Sequence, residues 1–148
     1  MRNNAKALVS ADEGREVSRA VLIWLNTCPD KPVDRIDFEF LPKEAPGVML
    51  STIQAAFKTR QYITGGYEAQ YQFRLVYRAQ PSDNDSRLAA DEVLNAIGAW
   101  AERSETKPEI GSALVRSVER ASDSSLLQTY DDGTRDHQIL MNLTYEVI

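Results

Sequence analysis

The stretch YEAQYQFRLVYRA, from Tyr67 to Ala79, constrains this chain more than any other. Tyr67, Ala69, Tyr71, Phe73, Leu75, Tyr77 and Ala79 are apolar or aromatic, and between them stand Glu68, Gln70, Gln72, Arg74, Val76 and Arg78. A period of two puts each set on its own face of a strand, whereas a helix would scatter the rings around its circumference. At about 3.3 Å per residue the strand runs for about 40 Å, well past the usual length of about five or six residues. A strand so long predicts a sheet built around it, one face under other elements and one face mostly polar.

The 148 residues, 43% hydrophobic and 26% charged, suit one core. A single domain over residues 1–148 is expected, with 1–9 as a flexible N-terminal segment. No apolar run approaches the roughly 20 residues that cross a bilayer, and MRNNAKALVSADEG lacks the apolar centre of a secretory signal. The expectation is a soluble, unexported protein with no membrane partner. Cys28, the single cysteine, rules out an internal disulfide and leaves a cysteine metal site short of ligands. A net charge of −5 argues against a nucleic-acid partner held by phosphate neutralisation. The charge is also uneven: residues 1–79 carry 11 Lys+Arg against 9 Asp+Glu, and residues 80–148 carry 6 against 13. A solvated acidic face explains this, and so does a contact between unlike halves of neighbouring copies.

Ser10 and Glu13 have the spacing of a capping box. A helix should follow, with Val17, Ala20, Val21, Trp24 and Leu25 on one face, stopped after Asn26 or Thr27 by Pro29 and Pro32. Arg35 to Leu41 alternates as a first strand, with Ile36, Phe38 and Phe40 on one side. Lys43 to Pro46 forms a loop, and Gly47 to Ile53 a second strand paired with the first. Gln54 to Ile63 fits a strand and a helical turn almost equally, and is read as extended. Gly65-Gly66 makes a turn into the long strand. The turn chemistry of Pro81 to Asp85 precedes a second helix, with Ala90, Val93, Leu94, Ile97 and Trp100 on one face and an end near Arg103. Ser112 to Arg120 reads as a strand of ambiguous facing, Asp131 to Thr134 as a turn, and Gln138 to Val147 as a last alternating strand. The fold class is therefore α+β, a mainly antiparallel sheet of about five or six strands with two amphipathic helices on one face.

Candidate chemistry is sparse. His137, the sole histidine, stands beside the Asp-Gly turn and reads as a turn residue; no serine, nor Cys28, has a nucleophile-elbow pattern. Asp131 and Asp132 lack the remaining ligands of a calcium loop, and Gly65-Gly66 lacks the lysine and helix of a phosphate loop. The expectation is a protein that is not an enzyme and needs no cofactor or metal.

Several patterns, taken in order, resemble those of a phage structural family, the minor capsid or tail-completion proteins that include the tail terminators of long-tailed phages. They are Trp24-Leu25-Asn26-Thr27-Cys28; Phe38-Glu39-Phe40-Leu41-Pro42, with Gly47 and Leu50 after it; Arg60-Gln61-Tyr62-Ile63-Thr64-Gly65-Gly66; the run from Tyr71 to Arg78; and the acidic second helix with Trp100. They cover most of residues 15–105. The C-terminal part is similar only in kind, and the first dozen residues not at all. The resemblance implies a ring, typically of six copies, assembled in the host cytoplasm and carried in the virion. It would cap the tail tube and join it to a head-neck connector protein, with DNA only as cargo through the lumen. Another head-tail connector, a tube subunit and a small-molecule-binding α+β domain are the alternatives.

Two surfaces then carry the expected function. Arg74 and Arg78, with Glu68 and Gln72 on the same strand face, are expected to meet acidic residues of the second helix or C-terminal half of a neighbouring subunit. A solvated strand face is the plainer alternative. Tyr62, Gly65 and Gly66 are expected to form a loop that docks on the tube or neck, where an ordinary hairpin is the plainer alternative.

Overall fold

The long alternation forms the centre of the sheet. The computed structural model describes residues 7–148, in which β4 (Tyr67–Ala79) lies antiparallel between β3 (Gly47–Gln61) and β7 (Arg135–Val147). Directly opposed residues of a ladder share a face. Tyr71, Phe73 and Leu75 oppose Leu143, Met141 and Ile139, and all six are buried. The β4–β7 ladder runs unbroken from Tyr67↔Val147 to Ala79↔Arg135, whereas β3 is irregular between Thr52 and Phe57 and again before Arg60.

Two helices cover this apolar face, α1 (Ala11–Leu25) and α2 (Asn84–Arg103). Ser10 caps α1 by accepting the Glu13 N–H at 3.1 Å, and Val17, Ala20, Val21, Trp24 and Leu25 are buried, as their spacing predicts. The returning half of the capping box is not made. Glu13 instead accepts the hydroxyls of Tyr67 and, at 2.6 Å, of Tyr145, which ties α1 to β4 and β7. In α2, Asp83 and Ser86 do cap each other, and Ala90, Leu94, Ile97, Gly98 and Ala101 are buried. The helices meet where Trp100 stacks on Trp24 with ring centroids 4.8 Å apart. The Trp24 indole N–H is satisfied by the Thr106 carbonyl at 3.1 Å.

The edges depart from expectation. The strand expected over 35–41 is only β2 (Asp37–Phe38), and it pairs parallel with β3 rather than antiparallel. Glu39 adopts a φ of 52°, which ends the alternation, and its carboxylate accepts the Thr52 N–H at 2.9 Å and the Ser51 hydroxyl at 3.1 Å. Ile36 is buried, whereas Phe38 and Phe40, expected on the same side, are exposed. Residues 54–61 are strand, held by the β4 ladder. Of the N-terminal segment expected to be flexible, 1–6 lie outside the described residues. Ala7–Leu8 form β1, paired antiparallel with Phe57 and Lys58, and Val9 is buried.

β5 (Leu114–Arg120) carries an irregularity between Val115 and Ser117, so neither single alternation fits it: Val118 is buried and Leu114 exposed. A strand with no counterpart in the sequence reading, β6 (Ser125–Thr129), pairs with the start of β7, and its five residues are all exposed. The strand order is β1-β3-β4-β7-β5, with β2 also on β3 and β6 also on β7. Among the described residues this makes an α+β fold, a largely antiparallel sheet of seven strands with both helices on one face.

Candidate functional site

The face of β4 away from the helices holds the residues expected to meet a neighbour. Arg78 meets its acid inside its own chain. Its guanidinium donates to both carboxylate oxygens of Asp136 at 2.8 and 3.0 Å, to the Pro42 carbonyl at 2.7 Å and to the Tyr130 hydroxyl at 3.2 Å. Tyr130 in turn donates to Asp136 at 2.7 Å. Burial pushes the Asp136 carboxyl up, but the bonds from Arg78 and Tyr130 outweigh it and hold the group below the usual aspartate range. The ladder explains the partner, because Arg78 stands directly opposite Asp136. Arg78 is thus a clamp between β4, β7 and the loop before β3, and within this chain its acidic partner is Asp136.

Arg74 differs. It donates to Gln138 at 3.3 Å, its buried Nε has no hydrogen-bond partner among the described residues, and no acidic group pairs with it there. Glu68 accepts the Thr59 hydroxyl at 2.9 Å, and Gln72 contacts Gln70 at 3.4 Å. Arg74, Glu68 and Gln72 remain half-exposed on a face that no helix covers.

Tyr62, Gly65 and Gly66 lie together at the β3–β4 turn. The Tyr62 N–H donates to the Gly66 carbonyl at 2.8 Å, and the Gly65 N–H to the Tyr62 carbonyl at 3.1 Å. Gly65 needs its φ of 96°, and a Cβ on Gly66 would sit 2.4 Å from the Val147 carbonyl oxygen. The Tyr62 hydroxyl donates to Glu146 at 2.6 Å, and Arg116 donates to that carboxylate at 2.5 Å. The Tyr62 bond, with Arg116, holds the Glu146 carboxyl below its ordinary value. The turn is pinned to the sheet, and Ile63 at its tip is fully exposed.

Two further candidate groups, His137 and Cys28, are buried. His137 is not in a turn: it lies in β7, buried beneath α2, with Nδ1 2.8 Å from Asp91. Ser124 donates to the same Asp91 oxygen at 3.2 Å. With the acid in the middle, the histidine is not beside the hydroxyl it would have to activate. Cys28 is buried, and burial pushes its thiol up, away from the reactive thiolate. Among the described residues no three His, Cys, Asp or Glu side chains gather to hold a metal ion, and no helix is long and apolar enough to cross a membrane.

Sequence reasoning missed an apolar groove of about 730 Å³ between α1 and β3. Leu8 and Phe38, from β1 and β2, flank it, with Ala55 and Tyr71 within and Arg15 and Arg19 at its rim. The signal was weak. β1 and β2 are two residues each, too short for periodicity to register.

No family model matches the sequence, and neither does any curated protein. A chain of the solved virion of a native gene transfer agent (GTA) particle is similar in structure, with a TM-score of 0.53 at 10% identity, over 91% of this chain and 92% of that chain. The two chains share a fold. The match runs nearly end to end in both, so it concerns the whole arrangement of sheet and helices rather than one hairpin.

Proposed function

We propose that this chain is a virion structural protein of the tail-terminator kind, acting through its surfaces rather than as an enzyme. In this reading six copies form a ring that caps the tail tube and joins it to the head-neck connector, with DNA passing through the lumen. One observation carries it: the fold is shared, nearly end to end, with a chain of a gene transfer agent virion. The patterned likeness of residues 15–105 to tail-completion proteins supplies the finer assignment. The uncovered β4 face, where Arg74 has no acidic partner among the described residues, and the pinned turn that presents Ile63 are the surfaces offered to neighbours and to the tube or neck.

Gold-labelled chain, added to tail tubes from the particle that encodes it, is expected at one tube end only. Labelling along the walls would point to a tube subunit, and absence from both ends would contradict the proposal.

A further inference from the structure

The two edges of the sheet differ in chemistry. On the β3 side, β2 pairs at Met49–Leu50 and β1 at Phe57–Lys58, and the groove under α1 is flanked by these two strands. Its lining is otherwise apolar or small and polar. Among the described residues the charged lining is Arg19 and Arg15, both exposed, and Arg15 is ion-paired with the exposed Asp12 one helical turn before it.

On the opposite edge stands β6, with Leu126 and Leu127 exposed to 47% and 41%. Apolar side chains on an open edge strand are a site where another chain attaches. Asp123, Asp131 and Asp132 surround β6, and residues 121–134 contain no lysine or arginine. Leu126 opposes His137, which lies beneath α2, so Leu126 projects on the helix-bearing face. The groove lies on that same face.

We propose that β6 of one copy seats against the β3 edge of the next, with Leu126 in the groove and Asp123 and Asp131 facing Arg15 and Arg19. The occupant is a second copy because the charges match: an apolar slot rimmed by two arginines fits an apolar strand flanked by aspartates. The patches lie on opposite edges of one sheet, so the contact is heterologous and propagates head to tail, as a ring requires. Glu39 already holds the Thr52 N–H, so the groove and the charges carry the contact more than backbone pairing does. The proposal rests on the ring reading above and names the surfaces that would close the ring.

Sedimentation of the full chain up to about 1 mM, where a contact of millimolar affinity is half formed, tests this interface. Wild type is expected to associate. Leu126→Glu, Arg15→Glu with Arg19→Glu, and Asp123→Arg with Asp131→Arg should each weaken association by about tenfold or more. All these positions are exposed, and circular dichroism checks that each variant folds. Mixing the two charge-reversed variants should restore assembly, because each then offers the other a matched groove and strand. Assemblies unchanged by every variant, or a mixture that does not recover, would overturn this interface and leave the ring standing. A wild type that stays monomeric throughout would overturn this interface, and the ring falls with it where tube ends also stay bare.

Discussion

Arg78 shows how far a residue's role depends on what stands across the ladder. A surface arginine on a polar strand face is free to reach a neighbour, but opposite Asp136 it becomes half of a buried pair, with side chains 15% and 5% exposed. Truncating one partner of such a pair leaves the other charge uncompensated. Arg78→Ala is expected to cost about 3 kcal/mol in urea unfolding, the low end of the range for broken buried pairs because Tyr130 still donates to Asp136. The folded Asp136 carboxyl lies below its ordinary value of 3.8, so its stabilisation is present above that value and lost as pH falls through the lower folded one. The acid limb of wild-type stability should flatten in Arg78→Ala. Variants meant to probe assembly belong at Arg74, since Arg78→Glu would set two carboxylates against each other inside the fold. Glu13 gives the alkaline counterpart. Burial and the Glu13 bond push the Tyr67 hydroxyl from 10.0 up to about 12, and Tyr145 is raised for the same reasons in the same order. The folded state holds both protons more tightly, so this stabilisation is whole below pH 10 and drains as pH rises towards 12. The urea midpoint should fall across that window in wild type and fall less when Tyr67 and Tyr145 are both phenylalanine.

Among the elements, those legible in the sequence are the long ones whose pattern agrees with their surroundings. β4 spans the alternation from Tyr67 to Ala79, and α1 buries the five residues its spacing marks. Periodicity failed where a strand is short or its backbone irregular. β2 lost its alternation to the positive φ of Glu39, β5 to a bulge after Val115, and β6 has no alternation to read, because an exposed edge strand faces no core. The candidate site was legible in the same uneven way. Tyr62, Gly65 and Gly66 are together in one turn as their spacing implies, but nothing in the local pattern of Arg78 foretold that β7 would place Asp136 opposite it, 58 residues along the chain. Nor does adjacency in sequence assemble the groove, which draws on β1, α1, β2, β3 and β4. At Gly66 the constraint is steric. Gly66→Ala drives a methyl to 2.4 Å from the Val147 carbonyl and should destabilise the β3–β4 hairpin and its contact with β7 by about 1–3 kcal/mol, as overpacking does. Hydrogen exchange should show the loss concentrated in amides near residues 60–68, and protection unchanged there would contradict the close approach.

The whole molecule is a two-sided object. One face of the sheet is closed by α1 and α2 around a core anchored by Tyr71, Phe73, Met141 and Tyr145, and the other is mostly polar, with Val76 and Leu140 among the polar side chains. The two sheet edges differ in charge and shape, and the turn at one end presents an exposed isoleucine. The proposed ring needs such differences, because it would be built from unlike patches that meet and a cap must show different ends to tube and neck. Electron microscopy of negatively stained chain, alone and bound to tail tubes, with mass measurement of the particles, tests this most directly. Six chains of 16.6 kDa should give closed sixfold rings of about 100 kDa, free in solution or seated on tube ends. Twelvefold rings, stacked tubes, or tube ends left bare by a monomeric protein would contradict it.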